Sequence, residues 1–144
     1  MLSMKSKYAL RALIVMALHE KKMLQSKAIA KEADVPAKFL ESILAELKNN
    51  DIVSSKRGIF GGYFLKKPAK DLMIGDVVRI LDGSLAPLQC ASVSDYKKCD
   101  DCNDEKVCVI RKVMVNVRNA ISDVLDHQSL ADMLSLSSKK TVFW

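Results

Sequence analysis

The glycine-rich segment 57–62, which reads Arg-Gly-Ile-Phe-Gly-Gly, constrains the fold of this chain more than any other feature. The segments on either side, 52–56 and 63–65, are short and contain β-branched and aromatic residues. Glycine accepts the backbone conformations that a tight turn between two strands requires. The sequence therefore predicts a β-hairpin here.

Three helices are predicted before the hairpin. An apolar stripe runs from Ser6 to about Lys21, Ser26 can cap a second helix that continues through Ala33, and Pro36 opens a third that ends at Asn49-Asn50. Asp34 lies where the chain must turn tightly. This order of helices and hairpin is that of a winged helix-turn-helix, whose third helix enters the major groove of DNA with the hairpin beside it.

Composition and charge agree with this fold class. Aromatic residues make up only 6% of the chain, and the many aliphatic residues favour a mainly α fold over an all-β one. Residues 1–70 hold 14 Lys/Arg against 6 Asp/Glu, a net charge of +8, whereas residues 71–144 hold 9 against 11, a net charge of −2. The first half therefore suits a polyanion, although a solvated surface would also be basic.

The second half is predicted to contain a short helix from Ile74 to Leu81, a loop over 84–104 and a long helix from about Asp104 to Asp126. The loop shows no helical or strand periodicity. The long helix carries apolar residues at spacings of three and four, namely Val107, Ile110, Met114, Val117, Ile121 and Val124. Such a seam can pack on its own domain, but we favour a homodimer in which it crosses its symmetry mate. Ser129 with Asp132 predicts a capping pair for a last short helix.

Four cysteines fall within nineteen residues, with the spacing Cys90-x8-Cys99-x2-Cys102-x5-Cys108. The longest apolar run, Ala12 to Leu18, is far below the roughly 20 residues of a membrane span, so we expect a cytoplasmic protein whose thiols stay reduced. Four thiolates can hold a [2Fe–2S] cluster, a [4Fe–4S] cluster or zinc. A redox disulfide and simple packing are the other interpretations. No phosphate loop, catalytic triad or carboxylate pair points to an enzyme.

Several segments carry a resemblance to a known family: 7–13 (Lys-Tyr-Ala-Leu-Arg-Ala-Leu), 39–41 (Phe-Leu-Glu), the hairpin 57–65 and 74–77 (Ile-Gly-Asp-Val). They resemble the winged-helix regulators that include IscR, NsrR and CymR, over nearly the whole chain. The resemblance implies a homodimeric transcription regulator with a C-terminal dimerisation helix and, in many members, an iron–sulfur cluster on the cysteine loop.

The resemblance also implies which residues contact DNA. Lys38 and Glu41 would face bases from the third helix, and Arg57 would enter the minor groove from the hairpin, with Tyr8 and Lys56 as further DNA-binding residues. Cluster-binding relatives take a fourth ligand from a histidine or an N-terminal carboxylate, but the corresponding residues here are Arg111 and Lys7. A cluster would therefore need Cys99 or Cys102 to complete its ligand set.

The sequence thus predicts three parts: a DNA-binding domain over 1–83, a cysteine loop over 84–104, and a dimerisation helix with its tail over 105–144. We expect the protein to bind a pseudo-palindromic duplex as a homodimer and to sense redox, iron or nitric oxide status through an iron–sulfur cluster, with zinc as the alternative. The other interpretation is a protein-interaction module with a zinc or thiol-switch loop.

Overall fold

A computed structural model describes residues 2–137 and 144 of the chain. Over those residues one antiparallel hairpin follows three helices and precedes three more. The elements are α1 (Met4–Leu18), α2 (Ser26–Ala33), α3 (Ala37–Asn49), β1 (Val53–Lys56), β2 (Gly62–Leu65), α4 (Ile74–Asp82), α5 (Val109–Leu125) and α6 (Leu130–Ser135). The predicted winged helix-turn-helix order is confirmed.

Helices α2 and α3 pack against α1, whose apolar residues are buried in its middle turns. Asp34 ends α2 in the left-handed conformation, with φ of 51°, and so provides the predicted turn before α3. The capping prediction for Ser26 was wrong, because Gln25 is the N-cap of α2 and forms no side-chain hydrogen bond there. A serine caps α1 instead: Ser3 Oγ accepts from the Ser6 backbone N–H, and the helix begins at Met4.

Glycines allow the hairpin to lie close against the segment before α2. Lys56 of β1 pairs with Gly62 of β2 at the two ends of the turn. Tyr63 forms an isolated bridge with Leu24, just ahead of α2. A Cβ on Gly61 would lie 1.9 Å from the Lys56 carbonyl oxygen, and one on Gly62 would lie 2.6 Å from that of Leu24. Such contacts exclude a side chain at both positions, which explains the Gly-Gly pair.

Helix α5 starts at Val109, later than the predicted residue 104. Two local features cause this difference. Asp104 Oδ1 accepts from the Lys106 N–H in a tight turn, and the Cys108 side chain caps the helix by accepting from the Arg111 N–H at 3.4 Å. Val107 therefore precedes α5 and is not part of the apolar seam of that helix.

After α5 the chain returns to the N-terminal helices. Ser129 and Asp132 form the predicted capping box, and Leu130 of α6 is fully buried in the same core as α1. The Ile74 N–H donates to the Gln128 carbonyl at 2.9 Å, and the Leu130 N–H donates to that of Leu72 at 2.8 Å. The segment just before α4 and the segment just after α5 therefore lie side by side.

In the part of the chain that the structure describes, no helix is long and apolar enough to cross a membrane.

Candidate functional site

Exposed polar residues of α3 and the hairpin form one candidate surface. Lys38 and Glu41, in the first turns of α3, are exposed, as are Lys56 and Arg57 at the hairpin turn. Tyr8 is half-buried in α1, and its ring centroid lies 6.4 Å from that of Phe39, which is 61% exposed. Tyr8 therefore supports the start of α3 through an aromatic contact that leaves much of the Phe39 ring accessible.

Side-chain hydrogen bonds fix the hairpin relative to α3. Lys48 Nζ, near the end of α3, donates to Ser55 Oγ of β1 at 2.6 Å. From the other side, Gln25 Nε2 donates to the Gly61 carbonyl at 3.0 Å. These two hydrogen bonds connect the hairpin to α3 and to the start of α2.

Arg11 braces the turn between α2 and α3, a role that sequence reasoning missed. Its Nη1 donates to the Asp34 carbonyl at 3.1 Å and lies 3.8 Å from that residue's carboxylate. The guanidinium also lies 5.0 Å from the ring centroid of Trp144, whose Nε1 donates to the Glu32 carbonyl at 3.2 Å. Only tertiary contact reveals this function, since Arg11 lies among apolar residues of α1.

The second candidate site is a cavity of about 560 Å³ lined by all four cysteines, together with acidic residues and the start of α5. Cys90 is buried and the other three are partly exposed, and all four are free thiols. Within residues 2–137 and 144, no three Cys, His, Asp or Glu side chains are arranged closely enough to hold a metal ion. The structure brings the four predicted ligands to one cavity without converging them on a point.

Two thiols of the cavity, those of Cys99 and Cys102, have a raised pKa and so resist deprotonation. A side-chain hydrogen bond with Cys90 raises the pKa of the Cys99 thiol, and the negative charge of Asp101 adds to that effect. Burial, followed by the neighbouring Cys108, raises the pKa of Cys102. A cationic centre would reverse these shifts, because a coordinated thiol is deprotonated. In chemical type and number, the donor set fits a thiolate-bound cluster or zinc.

Two arginines of α5 attach the Cys90 segment to that helix. Cys90 lies in the 3₁₀ turn Gln89–Ala91. Arg111 Nε donates to the Cys90 carbonyl at 2.8 Å, and Arg118 Nη1 donates to the Ala91 carbonyl at 2.6 Å. Arg111, which occupies the position where the resemblance implied a histidine ligand, thus has a structural partner in the backbone.

Helix α5 has no buried residue, and an apolar stripe runs along its exposed face. The stripe differs in part from the predicted seam, because Met114 and Ile121 are partly buried and Ile121 lines a cavity with α4 residues. The exposed apolar residues instead follow the same three-four spacing on a neighbouring face: Ile110, Val113, Val117, Ala120 and Val124. Two overlapping stripes fit the sequence, and only packing against α4 distinguishes them.

Comparison with known proteins identifies relatives across the whole described chain. Residues 2–136 match the Rrf2 family, described as an iron-dependent transcriptional regulator. An rrf2-like HTH-type transcriptional regulator of Rhodobacter capsulatus is 42% identical over 139 residues, which cover 94% of this chain and 93% of that protein. The HTH-type transcriptional regulator CymR of Bacillus subtilis is 28% identical and covers 93% and 89%.

Solved structures agree with these relatives. The structure of CymR, the global cysteine regulator of B. subtilis, superposes with a TM-score of 0.78 at 27% identity, covering 96% of this chain and 98% of that one. The structure of T. potens IscR has a TM-score of 0.76 at 29% identity, covering 100% and 93%. These relatives are regulators rather than enzymes. The chain therefore belongs to the Rrf2 family of winged-helix transcriptional regulators.

Proposed function

We propose that this protein is a homodimeric regulator that binds a pseudo-palindromic DNA duplex and senses redox, iron or nitric oxide status through a cluster on its cysteines. The observation that carries the sensing proposal is the cavity that all four cysteines line beside the start of α5. The similarity to T. potens IscR and the iron-dependent description of the family support the same function. We place the protein in the cytoplasm, where thiols stay reduced.

The DNA-binding proposal rests on α3 and the hairpin. Exposed Lys38 can donate to guanine or to phosphate, and exposed Glu41 can accept from cytosine or repel a wrong base. Arg57 on the hairpin suits a narrow minor groove, and Lys56 beside it suits a phosphate. Tyr8 contributes by supporting the start of α3 from behind.

The cofactor proposal assigns Cys90, Cys99, Cys102 and Cys108 as the ligands. An iron–sulfur cluster held there would supply a centre that gains or loses electrons, or is lost altogether, when cellular conditions change. Convergence of the thiols requires movement of the loop, because the four side chains line a cavity wider than a metal site. Cys108 moves least, since it is fixed as the N-cap of α5.

Coupling between the cysteines and the dimer runs through α5. Because Arg111 and Arg118 hold the carbonyl groups of Cys90 and Ala91, a shift of that turn acts directly on the helix. The exposed apolar stripe of α5 is the surface that we propose contacts a second copy. A change in the angle between the two α5 helices would alter the spacing of the two α3 helices, and this is a population shift between two states.

Iron, sulfide and zinc content with a visible spectrum, measured on anaerobically purified protein, tests the cofactor proposal. We expect about two or four irons per chain, with matching sulfide, as in thiolate-bound clusters. Replacing all four cysteines with alanine should abolish iron binding and change operator affinity, whereas Ser94→Ala, an exposed change in the same loop, should do neither. Stoichiometric zinc without iron would replace the cluster with a structural zinc site.

The DNA-binding proposal is tested separately by salt. Affinity for a selected duplex should fall steeply as salt rises, because each neutralised phosphate contributes about 0.9 to the slope of log K against log salt. A flat salt dependence would contradict the proposal and favour a protein-interaction module.

A further inference from the structure

Two large apolar side chains stand at the tip of the hairpin. Ile59 is 92% exposed and Phe60 is 94% exposed, the highest values among the large apolar residues that the structure describes. Exposed aromatic rings are unfavourable in water, and adjacent exposed apolar residues indicate a contact surface. Neither side chain packs on the core, so stability of the fold does not explain them.

The tip is presented on a fixed backbone. The Gly61 N–H donates to the Gly58 carbonyl at 3.0 Å, which closes the turn that carries Ile59 and Phe60. Gln25 Nε2 then holds the Gly61 carbonyl from the side of α2. A Cβ on Gly58 would meet no atom within 4 Å, so the tip projects into open space while its base is anchored.

Charge around the tip indicates the chemistry of its partner. Lys56 and Arg57 precede the apolar pair and are exposed, and neither forms an ion pair with another described residue. By contrast, Lys66, just after β2, pairs with Asp51 at 2.5 Å. A surface that combines unpaired cations with apolar side chains complements the minor groove, where phosphates flank apolar sugar and base faces.

We propose that Ile59 and Phe60 form an apolar wedge that enters the minor groove beside Arg57, where Phe60 partly unstacks one base step and bends the duplex. The proposal depends on the DNA-binding function proposed above and adds a determinant of specificity to it. Pyrimidine–purine steps unstack most easily, so the wedge selects such a step at a position that α3 does not contact. Wedges of this kind bend DNA by about 20° or more.

The test uses the full-length protein and duplexes selected by it from a random-sequence pool. Bend angle is measured by energy transfer between dyes at the duplex ends, and affinity is measured over a range of salt. We expect Phe60→Ala to reduce the bend to below about 20° and to weaken binding roughly tenfold, with the salt slope unchanged because no charge is lost. Arg57→Ala should instead lower the salt slope by about one.

Two further variants serve as controls. Phe60→Leu keeps an apolar side chain and should retain part of the bend. Leu136→Ala removes an 80% exposed apolar side chain just after α6 and should have no effect. If Phe60→Ala binds and bends DNA as wild type does, the wedge is refuted and a protein partner becomes the occupant of the tip. If wild type binds no duplex even at low salt, the DNA-binding function itself fails.

Discussion

Truncation of Val113 tests whether the exposed stripe of α5 forms the dimer interface. Val113 is the second residue of the stripe, was absent from the predicted seam, and is 54% exposed in the single chain. In a two-fold symmetric interface the residue occurs twice, close to the axis or on either side of it. Val113→Ala therefore shortens two interface side chains in each dimer.

The size of the effect follows from the exposure. Valine has two more carbon atoms than alanine, each contributing about 0.8 kcal/mol when fully buried, and about half of Val113 remains to be buried by a partner. The loss is therefore about 0.8 kcal/mol per copy and about 1.6 kcal/mol per dimer, which weakens dimerisation roughly 15-fold. Val113→Asp should have a larger effect, because a carboxylate loses its hydration at the interface and meets its own copy or another apolar side chain.

Sedimentation velocity over a dilution series measures the dimer dissociation constant. Leu136→Ala provides the matched control, since it removes a more exposed apolar side chain outside the stripe. Circular dichroism confirms that each variant is folded. If Val113→Ala shifts the dissociation constant no more than Leu136→Ala does, or if Val113→Asp remains dimeric at low micromolar concentration, the stripe is not the interface.

Three further predictions concern the fold and the cysteine turn. Gly75→Ala would place a Cβ 2.0 Å from Asp126 Oδ1, so the free energy of unfolding should fall by about 1–3 kcal/mol in urea titrations, and added Asp126→Ala should restore part of it. The hydrogen bond from Arg79 lowers the pKa of Asp126. The ion pair therefore stabilises the fold at pH values above the ordinary carboxyl pKa, and this stabilisation is lost as the pH falls through the lowered pKa of Asp126. Asp126→Asn should be less stable than wild type at about pH 7, and the difference should shrink at about pH 3. An equal difference at both pH values would contradict this assignment. Arg118→Ala frees the Ala91 carbonyl and should weaken metal binding on the order of tenfold, with faster hydrogen exchange at 89–91 but an unchanged unfolding temperature. Unaltered exchange in that turn would show that Arg118 does not hold it.

Local sequence patterns predicted the order of the elements because periodicity and turn chemistry act over a few residues. The hairpin glycines, the left-handed Asp34 and the Ser129–Asp132 capping box are all signals of this kind. The wrong cap at Ser26 shows the limit of the same reasoning. Serine is compatible both with the cap and with the first helical turn, and Gln25, which takes the cap position, donates its side-chain hydrogen bond to the hairpin.

The candidate site was less accessible to sequence reasoning because it depends on contacts between distant residues. The cysteine spacing predicted a common site. However, Arg111 and Arg118 donate hydrogen bonds to backbone atoms 21 and 27 residues away, and such contacts cannot be predicted from a local sequence pattern. The exposed stripe of α5 was also difficult to predict because it depends on a tertiary contact. Its spacing fits two faces of one helix, and contact with α4 determines which of them stays exposed.

Two backbone hydrogen bonds, one between Ile74 and Gln128 and one between Leu72 and Leu130, join two segments that are far apart in the sequence. They place the start of α4 beside the start of α6, and α4 itself packs into the core, so the cysteine loop and α5 form an excursion whose two ends are both anchored to that core. A loop whose ends are already paired can change length at little cost to the rest of the structure. We therefore expect insertions and deletions in the cysteine loop to leave the winged helix-turn-helix folded, so this part of the chain can vary while the helices and the hairpin stay as they are.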